Sequence, residues 1–281
     1  MFDVYRDIPP EFWQSPPVWF TVWLFGACWG SFLNVCIYRI PKELSVSHPG
    51  SHCFACKKPV AWFDNIPVLS WFILRGKCRN CGAPFSIRYA VIEALTATLA
   101  LAVWMSCGPS WITLSYWIMG FGLLLGSGVD LDEFWIPDRV SKGGMILGIP
   151  LSALLPELHG QSTALGGLTA AALGALAGFG SLWLVGVIGK LIFKKDAMGF
   201  GDVKLLGSIG AFLGVAAVFY TIFVAALLGS VVGVTLILLK KNELGGRIPF
   251  GPYLSAAAMS WIFGGVQLTE WYFNLLRGPT L

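Results

Sequence analysis

Ala197-Met198-Gly199-Phe200-Gly201-Asp202-Val203-Lys204 sets an aspartate behind a Gly-x-Gly turn, between two apolar segments long enough to lie in a bilayer. A carboxylate at a membrane boundary is unfavourable unless something uses it, and glycines flanking Phe200 let another part of the chain approach closely. Upstream, Val129-Asp130-Leu131-Asp132-Glu133-Phe134-Trp135-Ile136-Pro137-Asp138 closes another apolar run with a second cluster of carboxylates. Two acids delivered by separate membrane helices are the minimum for acid–base chemistry of the aspartyl-protease kind.

Composition agrees with a bilayer setting. Of 281 residues, 56% are hydrophobic and 12% charged, with a mean hydropathy of +0.71, which excludes an ordinary soluble domain. The expected fold is an all-α polytopic membrane protein. Apolar runs of spanning length centre near residues 28, 98, 120, 148, 180, 210, 228 and 260, giving about eight transmembrane helices. Residues 1–16 carry Asp3, Arg6, Asp7 and Glu11 and lack a basic leader with a small-residue cleavage site, so the first helix is expected to be retained.

Charge sorts with this count. Of 19 Lys and Arg, 17 fall in loops that leave odd-numbered helices, and only Arg6 and Arg277 fall on the other side. The positive-inside rule then makes the odd-to-even loops cytoplasmic and leaves both termini outside. The net charge of +4 reports topology and calls for no nucleic-acid partner. Both aspartate clusters land at the cytoplasmic rim. The expected organisation is an N-terminal segment and first helix over 1–40, a cytoplasmic loop domain over 41–88, and a transmembrane core over 89–281.

The loop domain carries Cys53-Phe54-Ala55-Cys56 and Cys78-Arg79-Asn80-Cys81. Two CxxC knuckles bring four thiolates to one ion, and a closed set of four protein ligands implies structural zinc. Disulfides or a redox pair are the alternatives, but cytoplasmic thiols stay reduced. His52 adjoins Cys53 and is read as an exposed neighbour; Cys28, Cys36 and Cys107 are read as small core residues. A loop this short has little core, so the metal supplies much of its folding free energy.

Among the carboxylates, Asp130 and Asp132 point about 200° apart on a helix, so only one faces a given partner. Asp138, after Pro137, suits an N-cap, and Glu133 a solvated turn. Asp202 has the competing reading of a helix N-cap. Gly166, Ala170, Gly174 and Gly178 recur every four residues, which allows close helix approach in lipid. Gly245-Gly246-Arg247-Ile248-Pro249-Phe250-Gly251-Pro252-Tyr253 is either a plain helix start or non-helical backbone facing the site.

These residues together resemble the bacterial type IV prepilin peptidases, membrane aspartyl proteases of the GxGD group. The resemblance runs through Gly30-Ser31-Phe32-Leu33-Asn34-Val35, Tyr38-Arg39-Ile40-Pro41, the two CxxC pairs, Asp64-Asn65-Ile66-Pro67-Val68-Leu69-Ser70-Trp71, Ser86-Ile87-Arg88-Tyr89 and Glu93. It continues through Asp130, Asp132, Pro137 and Asp138, then Met198-Gly199-Phe200-Gly201-Asp202 and Pro249-Phe250-Gly251-Pro252-Tyr253. It implies Asp130 and Asp202 as the catalytic pair, with Gly199, Phe200 and Gly201 supporting the loop and Cys53, Cys56, Cys78 and Cys81 on zinc. It also implies a location in the bacterial inner membrane among lipid, and prepilin or pseudopilin substrates of a type IV pilus or type II secretion system. The expected reaction is leader removal at the cytoplasmic face. Many members resemble a second enzyme that methylates the new amino terminus with S-adenosylmethionine, an activity associated with the zinc-bearing half and with the glycine before the third cysteine, here Gly76. No Gly-rich nucleotide motif accompanies it. Asp196, where relatives often carry glutamate, and a longer stretch between Asp130 and Asp202 depart from the family pattern.

Two other classes use similar parts. A proton-coupled or metal transporter also carries membrane carboxylates, but near the midplane and within inverted repeats, neither of which this chain displays. A non-catalytic assembly protein would use the cysteine loop for docking and the aspartates as caps.

Overall fold

The computed structural model describes residues 9–194, 198–239 and 248–277. Lys195, Asp196, Ala197, Lys240, Lys241 and Arg247, with Arg6 and Gly245-Gly246, lie outside the described residues. Those described are helical apart from turns and two isolated antiparallel bridges, His52 with Pro59 and Lys77 with Pro84. The chain divides into two units, Met1–Leu124 and Leu125–Leu281.

In the first unit, a short α1 (Pro10–Trp13) leads into α2 (Pro16–Arg39), and α4 (Arg88–Cys107) packs against α2. Their contact is close because the sequence removes side chains there. A Cβ on Gly26 would lie 2.6 Å from the Ala100 Cβ, and one on Gly30 would lie 2.6 Å from the Glu93 Cα. Close backbone approach is the main source of helix association in lipid, where burial of apolar surface gives no advantage. The beginning of α5 (Trp111–Glu133) joins this unit, with the Trp117 Nε1 donating to the Ala100 carbonyl at 3.0 Å and Trp104 stacked on Trp117. Cys36 is buried as expected, whereas Cys107 is half-buried and Cys28 exposed. Cys28 is therefore not a core residue: it stands on the outer face of a helix that is apolar all round.

Between α2 and α4 lies the polar loop, with a five-residue α3 (Leu69–Ile73). Conserved geometry in its two knuckles follows from backbone hydrogen bonds. The Cys53 N–H donates to Lys58 and the Lys57 N–H to Cys53, as the Cys78 N–H donates to Ala83 and the Gly82 N–H to Cys78. Both turns need a left-handed residue after the second cysteine; Gly82 (φ 71) meets this freely and Lys57 (φ 59) with strain.

The second unit holds α6 (Asp138–Leu154), α7 (Ala164–Phe193), α8 (Phe200–Leu238), α9 (Gly251–Ser260) and α10 (Val266–Arg277), with α9 and α10 joined by a π-helical turn at Trp261–Gly265. Thr163 caps α7, its side chain accepting from the Gly166 N–H. The expected small-residue stripe is a contact surface: Cβ atoms on Gly174 and Gly178 would lie 2.0 and 2.3 Å from the carbonyl oxygens of Gly210 and Leu206 on α8. At 39 residues α8 would run nearly 60 Å, about twice a bilayer core, but Gly214 (φ 81, ψ 179) interrupts it. The two apolar centres expected near 210 and 228 fall on either side of this break.

Five helices are long and apolar enough to cross a membrane: α2, α4, α5, α7 and α8. The remaining expected centres, near 148 and 260, fall on α6, which has 17 residues, and on the interrupted α9–α10 pair. The protein is thus an all-helical, multi-pass membrane protein with a small four-cysteine domain.

Candidate active site and metal centre

Asp130 sits one turn before the end of α5, where its carbonyl accepts the Phe134 N–H at 3.0 Å. Phe134 adopts the left-handed conformation that ordinarily ends a helix at glycine (φ 56). That turn sends Ile136 back into the unit, where it is 3% exposed. Asp202 lies in the first turn of α8, whose N-cap is Gly199. Both carboxylates are buried, Asp130 at 5% and Asp202 at 9% exposure, and they lie within electrostatic range of each other.

Each glycine around them has a steric assignment. A Cβ on Gly199 would lie 2.9 Å from the Asp202 Oδ2, so this glycine makes room for the carboxylate itself. A Cβ on Gly201 would lie 3.3 Å from the Ile136 Cβ. On the other side of the same isoleucine, a Cβ on Gly251 would lie 3.1 Å from the Ile136 Cδ1 and 2.8 Å from the Asp130 Oδ2. Ile136 is therefore the shared wall between the two aspartate-bearing segments.

Gly251 also donates its backbone N–H to the Asp130 Oδ2 at 2.9 Å. It is the first residue of α9, with Pro252 behind it, so its amide is one of the helix-end donors left without an intrahelical acceptor. Of the two readings open for this segment, the structure supports backbone facing the site. Ile136 and the Gly251 amide went unread as site groups in the sequence; the Pro-Phe-Gly-Pro signature was the available signal. Asp202 has the opposite condition: its Oδ1 is buried without a hydrogen-bond partner among the described residues. A carboxylate oxygen left so is unfavourable unless a ligand or water meets it, and it is not the oxygen of a structural cap.

Asp138 is not the N-cap of α6. Pro137 occupies that position, and Asp138, the first helical residue, turns its carboxylate to two lysines. Lys142 lies 2.7 Å away, one turn on, and Lys204 reaches it from α8. The reason is proximity to a stronger partner: Lys204 is 13% exposed, and a charge so covered requires a counter-ion. The pair ties the start of α6 to α8 two residues past Asp202. Phe200 stacks edge-on against Phe179 and lies beneath the Lys204 ammonium. Asp132 and Glu133 are exposed, so burial separates Asp130 from its neighbours.

The first unit assembles the other centre. The sulfurs of Cys53, Cys56, Cys78 and Cys81 all lie within 4.8 Å of one another, with Cys53 and Cys81 3.7 Å apart. A tetrahedral ion with metal–sulfur bonds of about 2.3 Å requires sulfurs about 3.8 Å apart, so the four could hold one. The Cys56 and Ala55 amides pull the Cys53 thiol down to about 6. At Cys81 the Ala83 amide also lowers the pKa, but desolvation and the three neighbouring sulfurs outweigh it and push the thiol up to about 11. Four thiols this close resist ionising together without a cation, which is the property of a metal site. His52 stays outside the set, its Nδ1 3.0 Å from the Gly50 carbonyl oxygen. Gly76 has φ 66 and packs on the Trp71 indole.

The two centres define a class: a multi-pass helical membrane protein with a buried carboxylate pair and a separate four-cysteine domain. Residues 24–107 match the bacterial peptidase A24 N-terminal domain, and residues 117–234 match the type IV leader peptidase family. The chain is 36% identical to a prepilin leader peptidase/N-methyltransferase of Aeromonas hydrophila, covering 90% of this chain and 93% of that protein. Proteins of the same description from Neisseria gonorrhoeae and Pseudomonas aeruginosa are 34% and 32% identical, covering 88% and 89% of this chain and 90% and 92% of theirs. No solved structure matches. The chain belongs to the type IV leader peptidase family, an assignment that does not favour a transporter.

Proposed function

We propose that this protein removes the leader peptide from type IV prepilins or pseudopilins at the cytoplasmic membrane face, and then methylates the exposed amino terminus. The observation that carries the peptidase half is the burial of Asp130 and Asp202 on either side of Ile136, with the Gly251 amide on one and an unpartnered oxygen on the other. One carboxylate, ionised, takes a proton from the attacking water; the other, protonated, donates to the scissile carbonyl oxygen. A nearby pair that shares one proton supplies both roles at once, and the two act as one titrating system. Gly199, Phe200 and Gly201 hold the loop that carries Asp202.

Zinc fits the four sulfurs, with Cys53, Cys56, Cys78 and Cys81 as ligands and no open position, so its role is structural. S-adenosylmethionine supplies the methyl group in the second reaction. The distribution of Lys and Arg supports a cytoplasmic domain over 41–88, both termini outside, and the peptidase core within 89–281. Reporter fusions after Gly160 and within the cysteine loop test this: activity of a periplasm-dependent reporter in the cysteine loop would overturn it.

The peptidase test is cleavage of a purified prepilin in detergent. Asp130→Asn and Asp202→Asn should each lower the rate by at least about 10²-fold, the range of a positioned acid or base. Either variant retaining full activity refutes the acid pair.

A further inference from the structure

The first unit encloses a cavity of about 940 Å³, lined entirely by residues 31–93. That is within the roughly 300–1,000 Å³ of small-molecule sites. Its walls are aromatic, with Tyr38, Phe54, Phe63, Trp71 and Phe85 contributing, and its two carboxylates are Asp64 and Glu93. Asp64 is engaged: Arg79 binds it through both Nε and a terminal nitrogen, at 2.8 and 2.6 Å. Glu93 differs, because its hydrogen bonds come from neutral donors, the Val68 amide at 2.7 Å and the Ser31 hydroxyl. Val68 is held in the left-handed region (φ 63, ψ −55), a strained conformation for a β-branched residue and one that persists where surroundings enforce it. A part-buried carboxylate among aromatic faces is suited to a cation. Exposed Lys57 and Lys58, also on the lining, suit an anionic group at the mouth.

Gly76 acts on this cavity without lining it. Its N–H donates to the Trp71 carbonyl at 2.9 Å, its own carbonyl accepts the Phe85 N–H at 2.8 Å, and the Trp71 Nε1 donates to the Phe85 carbonyl at 3.3 Å. A Cβ on Gly76 would lie 3.1 to 3.3 Å from three atoms of the Trp71 indole, and φ 66 disfavours any side chain. Gly76 is thus a positioning residue for one aromatic wall.

From this geometry we infer that the cavity is the methyl-transfer site, with Trp71 as a platform for the adenosine of S-adenosylmethionine and Glu93 as the group that receives the new amino terminus. The inference rests on the methyltransferase half of the function proposed above. Glu93 accepts a proton from the substrate ammonium, which frees the nitrogen lone pair. The amine nitrogen then takes the methyl group as the carbon–sulfur bond breaks; the sulfur keeps that electron pair and becomes the neutral thioether of S-adenosylhomocysteine. The products are a protonated secondary amine and Glu93 carrying one proton, which leaves to water.

The test uses the full chain in detergent, with pilin already freed of its leader so that the peptidase step does not enter. Binding of radiolabelled S-adenosylmethionine is read by equilibrium dialysis, methylation by mass spectrometry, and integrity of the domain by zinc content. Trp71→Ala should weaken binding at least about tenfold, Trp71→Phe should restore most of it, and Gly76→Ala should weaken it with zinc retained. Glu93→Gln keeps the bond from Val68 and should leave binding within about threefold while methylation falls about 10²-fold or more. Zinc-loaded Trp71→Ala that binds like wild type, or Glu93→Gln that methylates like wild type, overturns the assignment. A wild-type protein that methylates while all variants do so equally refutes this cavity alone. A wild-type protein that neither binds the donor nor methylates refutes the methyltransferase function itself, and the site with it.

Discussion

Gly251→Ala isolates the contact between the start of α9 and Asp130. Gly251 does not have a positive φ, and alanine is the better helix former, so the backbone accepts the change. What it cannot accept is the new methyl, 2.8 Å from the Asp130 Oδ2 and 3.1 Å from the Ile136 Cδ1. Ordinary contact begins at 3.4 Å, so the carboxylate or the helix must shift by about 0.6 Å. Ile136, 3% exposed and held against Gly201 as well, has nowhere to move. Misplacement by about 1 Å lowers rates by around 10²-fold, so a shift of this size should lower kcat about tenfold, roughly 1.4 kcal/mol in the barrier. KM should stay within about threefold, since the substrate's distant contacts are untouched. The assay is prepilin cleavage in detergent, followed by fluorescence of a labelled leader, with thermal midpoint as the check on folding. Gly201→Ala, which meets Ile136 at 3.3 Å and no carboxylate, should give a smaller loss. Full kcat for Gly251→Ala would refute the claim that this amide sets the Asp130 carboxylate.

Three further outcomes follow from the packing. Asp138→Asn leaves the covered Lys204 ammonium without its acceptor and should destabilise the protein by about 1–2 kcal/mol; adding Lys204→Met should recover part of that loss in a double-mutant cycle read by thermal unfolding. Gly174→Ala drives a methyl to 2.0 Å from the Gly210 carbonyl oxygen and should abolish accumulation of folded protein, whereas Gly180→Ala, which meets nothing within 4 Å, should be neutral by detergent gel filtration. Cys78→Ser, or chelation of the wild type, should release one zinc per chain by elemental analysis and expose the loop to proteolysis; a protease-resistant loop without metal would contradict its structural role.

The membrane class was legible because composition and run length are sums over many residues, which no single contact overturns. The knuckles were legible because four cysteines at paired spacing have few other uses. Local reasoning failed where a distant partner intervened. Asp138 looked like a cap until Lys204 arrived from α8, and Cys28 looked like core because apolar helices in lipid do not declare which face is inside. Asp130 and Asp132 were equal by periodicity alone, and only the resemblance separated them before burial did.

By itself, the sequence determined an all-helical membrane protein, a four-cysteine domain, and aspartates at the ends of two apolar segments, since these depend on local composition and spacing. Only the tertiary structure decided that Ile136 stands between Gly201 and Gly251, that a helix-end amide from α9 meets Asp130, and that Gly76 sets the Trp71 wall. Those contacts join residues up to 121 positions apart, and their distances depend on how whole helices pack, which no short stretch of chain encodes.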